Sequence, residues 1–297
     1  MYHLALTRGK FRCTWFANDT RVAYLPDVHL TEADYLVIPE IYGPNIPSLS
    51  TLPQIGFRPK KVIFNQNCYY TFLGHSIDSV LHPGFGTSYD RTDEVVAVIV
   101  VSEDSKKYLE YSFPKLKVLR IHNAINTKLF SFQSKKKKQI CFMPRKHPED
   151  AIQVLAILKS RGALRDFAVV PIDNKSETEV AEIMKESLIF LSFGYPEGCP
   201  LPPAEAMSSG CIVIGYSGLG GAEYFNEEFC YPIAINDIFG FASSVESVIN
   251  EYQYDPASIQ EKSSRASRYI HEIYSEMREE EDIITSWNDI ISSTRRT

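Results

Sequence analysis

Hydrophobic residues in the first half of the chain occur in short runs separated by polar stretches. The run Val95–Val101 contains no polar position, which predicts a strand covered on both faces, as in a parallel sheet. Ser102 follows it and is typical of the residue that caps a following helix. Similar runs predict further strands at Val22–Leu25, Tyr35–Pro39, Lys61–Asn65 and Val118–Ile121.

In the second half, strand-like runs alternate with segments of helical periodicity. Ser176 followed by Glu179 forms a capping box that opens one of the helices. Predicted strands lie at Gln139–Met143, Phe167–Ile172, Leu188–Phe193 and Cys211–Tyr216, and predicted helices at Glu149–Arg161, Glu177–Glu186, Pro202–Ser208, Ile238–Tyr252 and Ile259–Ile291. Alternation of this kind predicts an α/β fold whose parallel sheet is covered by helices on both faces.

A run of four lysines, Lys135–Lys138, separates the two halves. We interpret it as a solvated connection between domains, and a phosphate-binding patch is the alternative. The 297 residues leave room for two domains. The boundary is therefore predicted at 132/133, giving an N-terminal domain over 1–132 and a C-terminal domain over 133–297.

Composition and charge exclude several functional classes. Lys and Arg number 31 against 37 Asp and Glu, for a net charge of −6, which gives no general attraction to nucleic acid or anionic lipid. The six cysteines are scattered without the close pairing of a zinc or redox motif. No apolar run is long enough for a signal peptide or a transmembrane helix. We expect a soluble, cytoplasmic protein.

The stretch Gly194–Met207 carries the densest chemical signal. It follows a buried strand and opens a helix, so it lies at the carboxyl edge of the sheet, where α/β folds bind ligands. Carboxylates such as Glu197 and Glu205 accept hydrogen bonds from vicinal hydroxyls, and a helix N-terminus attracts an anionic phosphate. The alternative is that both glutamates merely favour the start of a helix.

This stretch resembles the retaining family 4 glycosyltransferases. The resemblance extends from about Ile121 to the C-terminus and is weaker over the first 120 residues. It is carried by Glu197–Gly198, Leu201–Pro203, Glu205–Met207, Gly210, Val213–Gly215, Gly218–Gly221 and Glu223. It implies a GT-B fold of two facing Rossmann-like domains. The N-terminal domain is expected to be reduced, because no glycine-rich loop follows a first strand within Met1–Arg12.

The resemblance also implies roles for individual residues. Glu205 would bind the ribose of a nucleotide-sugar donor, Glu197 would contact the donor sugar, and Arg145 would neutralise the leaving diphosphate. Other residues implied to line the donor are Gly198, Cys199, Pro200, Leu201, Ile172, Asp173, Gly220 and Gly221. A turn before a short helix is the alternative interpretation of the glycines at 218–221.

The sequence departs from the family in two places. Asp150 stands where the family usually has a lysine, and Lys146 is the candidate to replace that lysine. Cys199 and Pro200 replace a Phe-Gly pair, and a proline has no N–H to donate to a ligand.

On the acceptor side, polar residues follow two predicted strands of the N-terminal half. Glu40 ends one strand, and Asn65, Gln66 and Asn67 end the next. Amides beside aromatic residues suit carbohydrate hydroxyls and ring faces, whereas loop capping is the alternative. No metal site and no cofactor are expected, and the nucleotide sugar is a substrate.

Three functions remain open at this point. The first is a glycosyltransferase that moves a hexose from a nucleotide diphosphate sugar to a hydroxyl acceptor with retention. The second is a non-catalytic nucleotide-sugar or glycan-binding protein, or a subunit of a larger transferase, so an oligomer or a partner subunit stays open. The third is an NAD-dependent enzyme, which the lack of a G-x-G-x-x-G motif disfavours.

Overall fold

The structure is a computed structural model that describes residues 31–41 and 60–295. The predicted strand Val22–Leu25 and the segment Met1–Arg12 lie outside these residues. The chain forms two compact units, one comprising Met1–His122 with Glu279–Thr297 and the other Asn123–Arg278. The sequence-based boundary at 132/133 therefore falls inside the second unit.

The described residues of the first unit contain a four-stranded parallel sheet in the order β1-β2-β3-β4. Ser102 caps the helix after β3 by accepting a hydrogen bond from the Ser105 amide, as its sequence position predicts. The elements are β1 (Tyr35–Pro39), β2 (Lys60–Asn65), α1 (Ile77–Leu81), β3 (Val95–Val100), α2 (Glu103–Ser112) and β4 (Val118–Arg120).

The second unit is built on a five-stranded parallel sheet in the order β6-β5-β7-β8-β9. Its elements are β5 (Lys137–Phe142), α3 (Pro148–Ser160), β6 (Ala168–Pro171), α4 (Glu177–Glu186), β7 (Ser187–Phe193), α5 (Leu201–Ser208), β8 (Ile212–Tyr216), β9 (Tyr231–Pro232), α6 (Ile238–Tyr254) and α7 (Pro256–Ile273). The predicted α/β class with parallel sheets is confirmed.

Hydrophobic cores cover both faces of this second sheet. One face packs against α4, α5 and α7, and the other against α3 and α6. Every residue of the central strand β7 is buried, because helices cover it on both sides. The layers leave the carboxyl edge of the sheet as the place where loops converge.

The prediction of one helical stretch over Ile259–Ile291 is wrong. Helix α7 ends at Ile273, and α8 (Glu276–Thr294) begins after a break at Tyr274. The carbonyl of Tyr274 accepts a hydrogen bond from the Ile125 amide at 2.8 Å, and its buried side chain donates to Glu223. These tertiary contacts break a segment whose periodicity alone favours a continuous helix.

The lysine run has a different role from the predicted solvated connection. Lys137 and Lys138 belong to β5, and Lys137 pairs with Glu186 at 2.7 Å. The Lys136 ammonium donates hydrogen bonds to the carbonyls of Met184, Lys185 and Ser209. It thus satisfies free carbonyls at the ends of two helices, α4 and α5.

Within residues 31–41 and 60–295, no helix is long and apolar enough to cross a membrane.

Candidate functional site

Four loops converge at the carboxyl edge of the second sheet because its strands are parallel. They follow β5, β6, β7 and β8, at residues 143–147, 172–176, 194–200 and 217–221. We call residues 194–200 the Glu197 loop and residues 217–221 the glycine loop. With the start of α5, these loops carry all the residues that the resemblance assigns to a donor.

The Glu197 loop is fixed by the glycine loop. The Glu197 amide donates to the Gly218 carbonyl at 2.9 Å, and the Gly220 amide donates to the Glu197 carbonyl at 3.1 Å. A Cβ atom at Gly220 would lie 2.0 Å from the Gly198 carbonyl oxygen. Glycine is therefore required here for close packing of two backbones. This packing supplies a structural reason for Gly220 and Gly221 that is separate from any ligand contact.

Two adjacent cations follow β5 and behave differently. The Arg145 side chain is exposed and makes no hydrogen bond or ion pair with the described residues. Lys146 pairs with Glu197, and the two side chains are 24% and 26% exposed. Burial and the positive charge of Arg145 lower the pKa of Lys146 to about 8, while the Glu197 carboxylate favours the ammonium form. Lys146 thus points toward the Glu197 loop.

Asp150, the departure from the family's lysine, has a structural partner. Its carboxylate accepts a hydrogen bond from the Tyr216 hydroxyl at 2.8 Å. It lies in the first turn of α3, where a negative charge is favourable. In this chain the lysine that reaches the site comes from position 146.

Glu205 is a half-buried carboxylate without a hydrogen-bonding or ion-pairing partner in the described residues. Burial, and to a smaller extent the charge of Glu177, raise its pKa to about 7. Glu177 opens α4 after the 172–176 loop, so this loop lies on the Glu205 side of the site. Within it, Ile172 is buried in the core and Asp173 is exposed.

The N-terminus of α5 offers fewer donors than the sequence suggested. Pro200 is its capping residue, and Pro202 and Pro203 lie in its first turn. Since proline has no N–H, Leu201 supplies the amide of this turn. The Pro200 carbonyl accepts a hydrogen bond from the buried Tyr224 hydroxyl. This turn therefore offers a ligand one backbone amide, whereas Arg145 and Lys146 offer charged side chains at the same edge.

A small cavity of about 30 Å³ lies at the ion pair, lined by Arg145, Lys146, Glu197 and Pro200 among other residues. That volume holds about one water molecule. Gly198 is buried in the same loop, and Cys199 and Leu201 pack against the neighbouring core.

The predicted acceptor-side residues lie together at the carboxyl edge of the first sheet. Glu40 is buried next to the backbone of Gln66 and Asn67, and burial raises the pKa of its carboxyl group. Asn65 donates hydrogen bonds to Thr71 and Tyr89. The Asn67 side chain caps the turn that follows by accepting from the Tyr69 amide. Asn67 is thus a capping residue, while the Asn65 side-chain oxygen and one carboxylate oxygen of Glu40 have no partner in the described residues.

Sequence reasoning missed two residues at the second edge. His147 precedes α3 with a left-handed backbone (φ 43°) and contacts Tyr195 with the ring centroids 4.1 Å apart and the ring planes tilted by 46°. A left-handed backbone is unusual for histidine. The only available signal was their position, His147 next to Lys146 and Tyr195 two residues before Glu197.

The described residues contain no group of three His, Cys, Asp or Glu side chains placed to hold a metal ion.

Comparison with known proteins identifies one curated relative. An alpha-1,6-glucosyltransferase of Actinobacillus pleuropneumoniae is 27% identical over 205 residues, which cover 68% of this chain and 58% of that protein. No family model matches the chain.

Solved structures match the fold at low sequence identity. TarM of S. aureus, solved with UDP, has a TM-score of 0.54 at 16% identity, over 79% of this chain and 51% of its own. The pneumococcal O-GlcNAc transferase GtfA, solved with UDP and GlcNAc, has a TM-score of 0.57 at 13% identity, over 90% of this chain and 58% of its own. The chain thus spans little more than half the length of these proteins. The likeness shows an α/β fold with parallel sheets, and these structural neighbours are GT-B glycosyltransferases.

Proposed function

We propose that this chain is a glycosyltransferase of family 4 type, which transfers a hexose from a nucleotide diphosphate sugar to a hydroxyl acceptor with retention. The observation that carries the proposal is the second sheet edge, where Glu197 is accompanied by Glu205, a half-buried carboxylate without a partner in the described residues, and by two adjacent cations, Arg145 and Lys146. The similarity to an alpha-1,6-glucosyltransferase supports the same class of reaction.

The nucleoside would bind on the Glu205 side of the site. A carboxylate that lacks a partner can accept hydrogen bonds from both hydroxyls of a ribose, and this would repay the cost of its burial. The base would lie against the 172–176 loop, where the side chain of Ile172 is in the core and backbone groups remain to contact it.

The diphosphate would be held by Arg145 and Lys146. Arg145 is exposed and unpartnered, and a guanidinium can donate two parallel hydrogen bonds to phosphate oxygens. Together the two cations would neutralise the charge that develops on the leaving diphosphate, without a metal or another cofactor. Backbone groups of Gly198, Cys199 and Leu201 would line the donor.

The reaction would proceed on one face of the sugar. The bond from the anomeric carbon to the phosphate oxygen breaks, and the acceptor oxygen bonds to that carbon from the same side. The leaving phosphate takes the acceptor's hydroxyl proton, and the Glu197 carboxylate stabilises the positive charge that develops on the sugar. On the acceptor side, Glu40 with Asn65, Gln66 and Asn67 would contact the hydroxyl substrate.

The test is nucleotide release from a panel of UDP-, GDP- and ADP-sugars. Arg145→Ala should reduce donor affinity about a hundredfold through the loss of charge-assisted hydrogen bonds. Lys159→Ala is the matched control, because Lys159 is an exposed cation in the last turn of α3, the helix whose start follows Arg145 and Lys146. If both variants lost the same affinity for the donor, the assignment of Arg145 to the diphosphate would be contradicted.

A second outcome would favour the non-catalytic alternative. Departures from the family at Asp150 and Pro200 are the observations that keep it open. Donor binding measured by calorimetry, without product sugar on any acceptor, would support a nucleotide-sugar-binding protein or a subunit of a larger transferase.

A further inference from the structure

Lys146 and Glu197 form an ion pair with each other, whereas the proposed function requires both side chains to contact the donor. Each side chain is about three-quarters buried, and the cavity between them and Pro200 measures about 30 Å³. Ligand pockets usually enclose about 300–1,000 Å³. In the proposed function the diphosphate binds Lys146 and the sugar hydroxyls bind Glu197, so a bound donor has to separate this pair.

The backbone on both sides of the pair is fixed. Glu197 is held by hydrogen bonds to Gly218 and from Gly220, and the close packing at Gly220 leaves this loop no room to shift. Lys146 lies between the buried strand β5 and helix α3. Separating the pair therefore requires rotation of the two side chains and no shift of the Glu197 loop.

We propose that the Lys146–Glu197 ion pair closes the donor site when no donor is bound, and that the donor's diphosphate opens the site by taking Lys146 from Glu197. This inference rests on the proposed function. Arg145, which has no partner in the described residues, makes the first contact with the diphosphate. The diphosphate carries more negative charge than one carboxylate, so it competes successfully for the ammonium group.

The exchange couples two events at the site. Glu197 loses its cation in a half-buried position, which is costly unless a new partner replaces it. The hydroxyls of the donor sugar provide that partner. A nucleoside diphosphate without a sugar opens the pair but leaves Glu197 without compensation, so it binds less tightly than the two cations alone would allow.

The test is calorimetric titration with UDP and with inorganic pyrophosphate. Glu197→Gln should bind both about fivefold more tightly than the wild type, because Lys146 is then already free; this corresponds to about 1 kcal/mol for a partly exposed pair. Glu246→Gln is the matched control, since it breaks the Arg161–Glu246 pair on another part of the same unit. It should leave both affinities unchanged.

A double variant separates the exchange from simple charge repulsion. If Glu197 acts by holding Lys146, the gain from Glu197→Gln disappears when Lys146→Gln is already present. Two results would overturn this inference alone. In the first, Glu197→Gln still raises the affinity when Lys146→Gln is present. In the second, the wild type binds UDP and Glu197→Gln does not raise that affinity. A wild type that binds neither pyrophosphate nor any of UDP, GDP and ADP would overturn the proposed function as well.

Discussion

At the carboxyl edge of the first sheet, Asn65 donates hydrogen bonds to Thr71 and to Tyr89, at 3.3 and 2.9 Å. Asn67 caps the turn that follows it. The amide groups of Asn65 and Asn67 thus form hydrogen bonds within the protein. At the carboxyl edge of the second sheet, by contrast, Arg145 and Glu205 have no partner in the described residues.

The two edges differ in whether their polar side chains have hydrogen-bond partners within the protein. Side chains with such partners stabilise the fold, and side chains without them are candidates for ligand binding. Buried polar groups normally find hydrogen bonds within the protein. Glu205 is half-buried without such a bond, and the rise of its pKa to about 7 means that its ionised form is disfavoured in the folded protein. At the first edge, one carboxylate oxygen of Glu40 and the side-chain carbonyl oxygen of Asn65 also lack a partner in the described residues. The second edge differs in placing two cations, Arg145 and Lys146, beside its carboxylates.

The largest expected effect concerns the backbone of the second edge. Gly220→Ala would place a Cβ atom 2.0 Å from the Gly198 carbonyl, so we expect a loss of about 3 kcal/mol in the free energy of unfolding. Gly194→Ala is the matched control, because its nearest atoms lie 3.7 Å away, and it should cost less than about 1 kcal/mol. Urea denaturation measures both, and equal midpoints would refute close packing as the reason for this glycine.

At the first edge, Asn65→Ala should destabilise the protein by about 2 kcal/mol, since it removes buried hydrogen bonds to Thr71 and Tyr89. Gln66→Ala, at an exposed neighbouring position, should change stability by less than about 0.5 kcal/mol. Thermal unfolding of the two variants compares them directly. A neutral Asn65→Ala would show that this edge is not held by its own side chains.

Glu205→Gln at the second edge should stabilise the protein, whereas the two preceding substitutions destabilise it. Burial raises the pKa of Glu205 to about 7 in the folded protein, above its ordinary value of 4.5, so the folded state loses stability as pH rises through this interval. The neutral amide should therefore stabilise the protein by about 1–2 kcal/mol at pH 8 and not at pH 4. Glu261→Gln, an exposed glutamate on α7, is the control. Destabilisation by Glu205→Gln would argue for a structural role.

The strands were predictable from the sequence because burial on both faces leaves uninterrupted apolar runs. Predicted and observed bounds agree for β1 and for α4, and for the other predicted strands within the described residues they differ by at most two residues at each end. The break at Tyr274 was not predictable, since it depends on a hydrogen bond from Ile125, which is distant in sequence. Periodicity reports which face is buried and cannot report such a contact.

The sequence predicted which residues lie at the candidate site and did not predict which of their side chains pair with each other. Motif spacing indicated Glu197 and Glu205 at one sheet edge, and the resemblance to the family added Arg145. The pairing of Lys146 with Glu197, 51 residues apart, and of Asp150 with Tyr216, 66 residues apart, depends on which loops the strand order brings together. These pairings are set by the folded structure and leave no signal in the spacing of the motifs.

The smallest expected effect is a pH dependence that belongs to the second edge alone. The pKa of Lys146 is lowered to about 8 by burial and Arg145, and that of Glu205 is raised to about 7 by burial and Glu177. The ammonium is lost above the first value and the carboxylate is protonated below the second. The affinity for UDP-glucose, whose phosphates do not titrate in this range, should therefore be greatest between pH 7 and pH 8 and about fivefold lower at pH 9.

The two limbs of this profile can be assigned by substitution. Lys146→Arg keeps the positive charge at high pH, so its affinity should no longer fall between pH 8 and pH 9. The acidic limb should remain in this variant, because Glu205 is unchanged, and should be absent in Glu205→Gln. An alkaline limb that survives in Lys146→Arg would mean that the diphosphate does not depend on Lys146, and Arg145 would then be the only cation that distinguishes the second edge from the first.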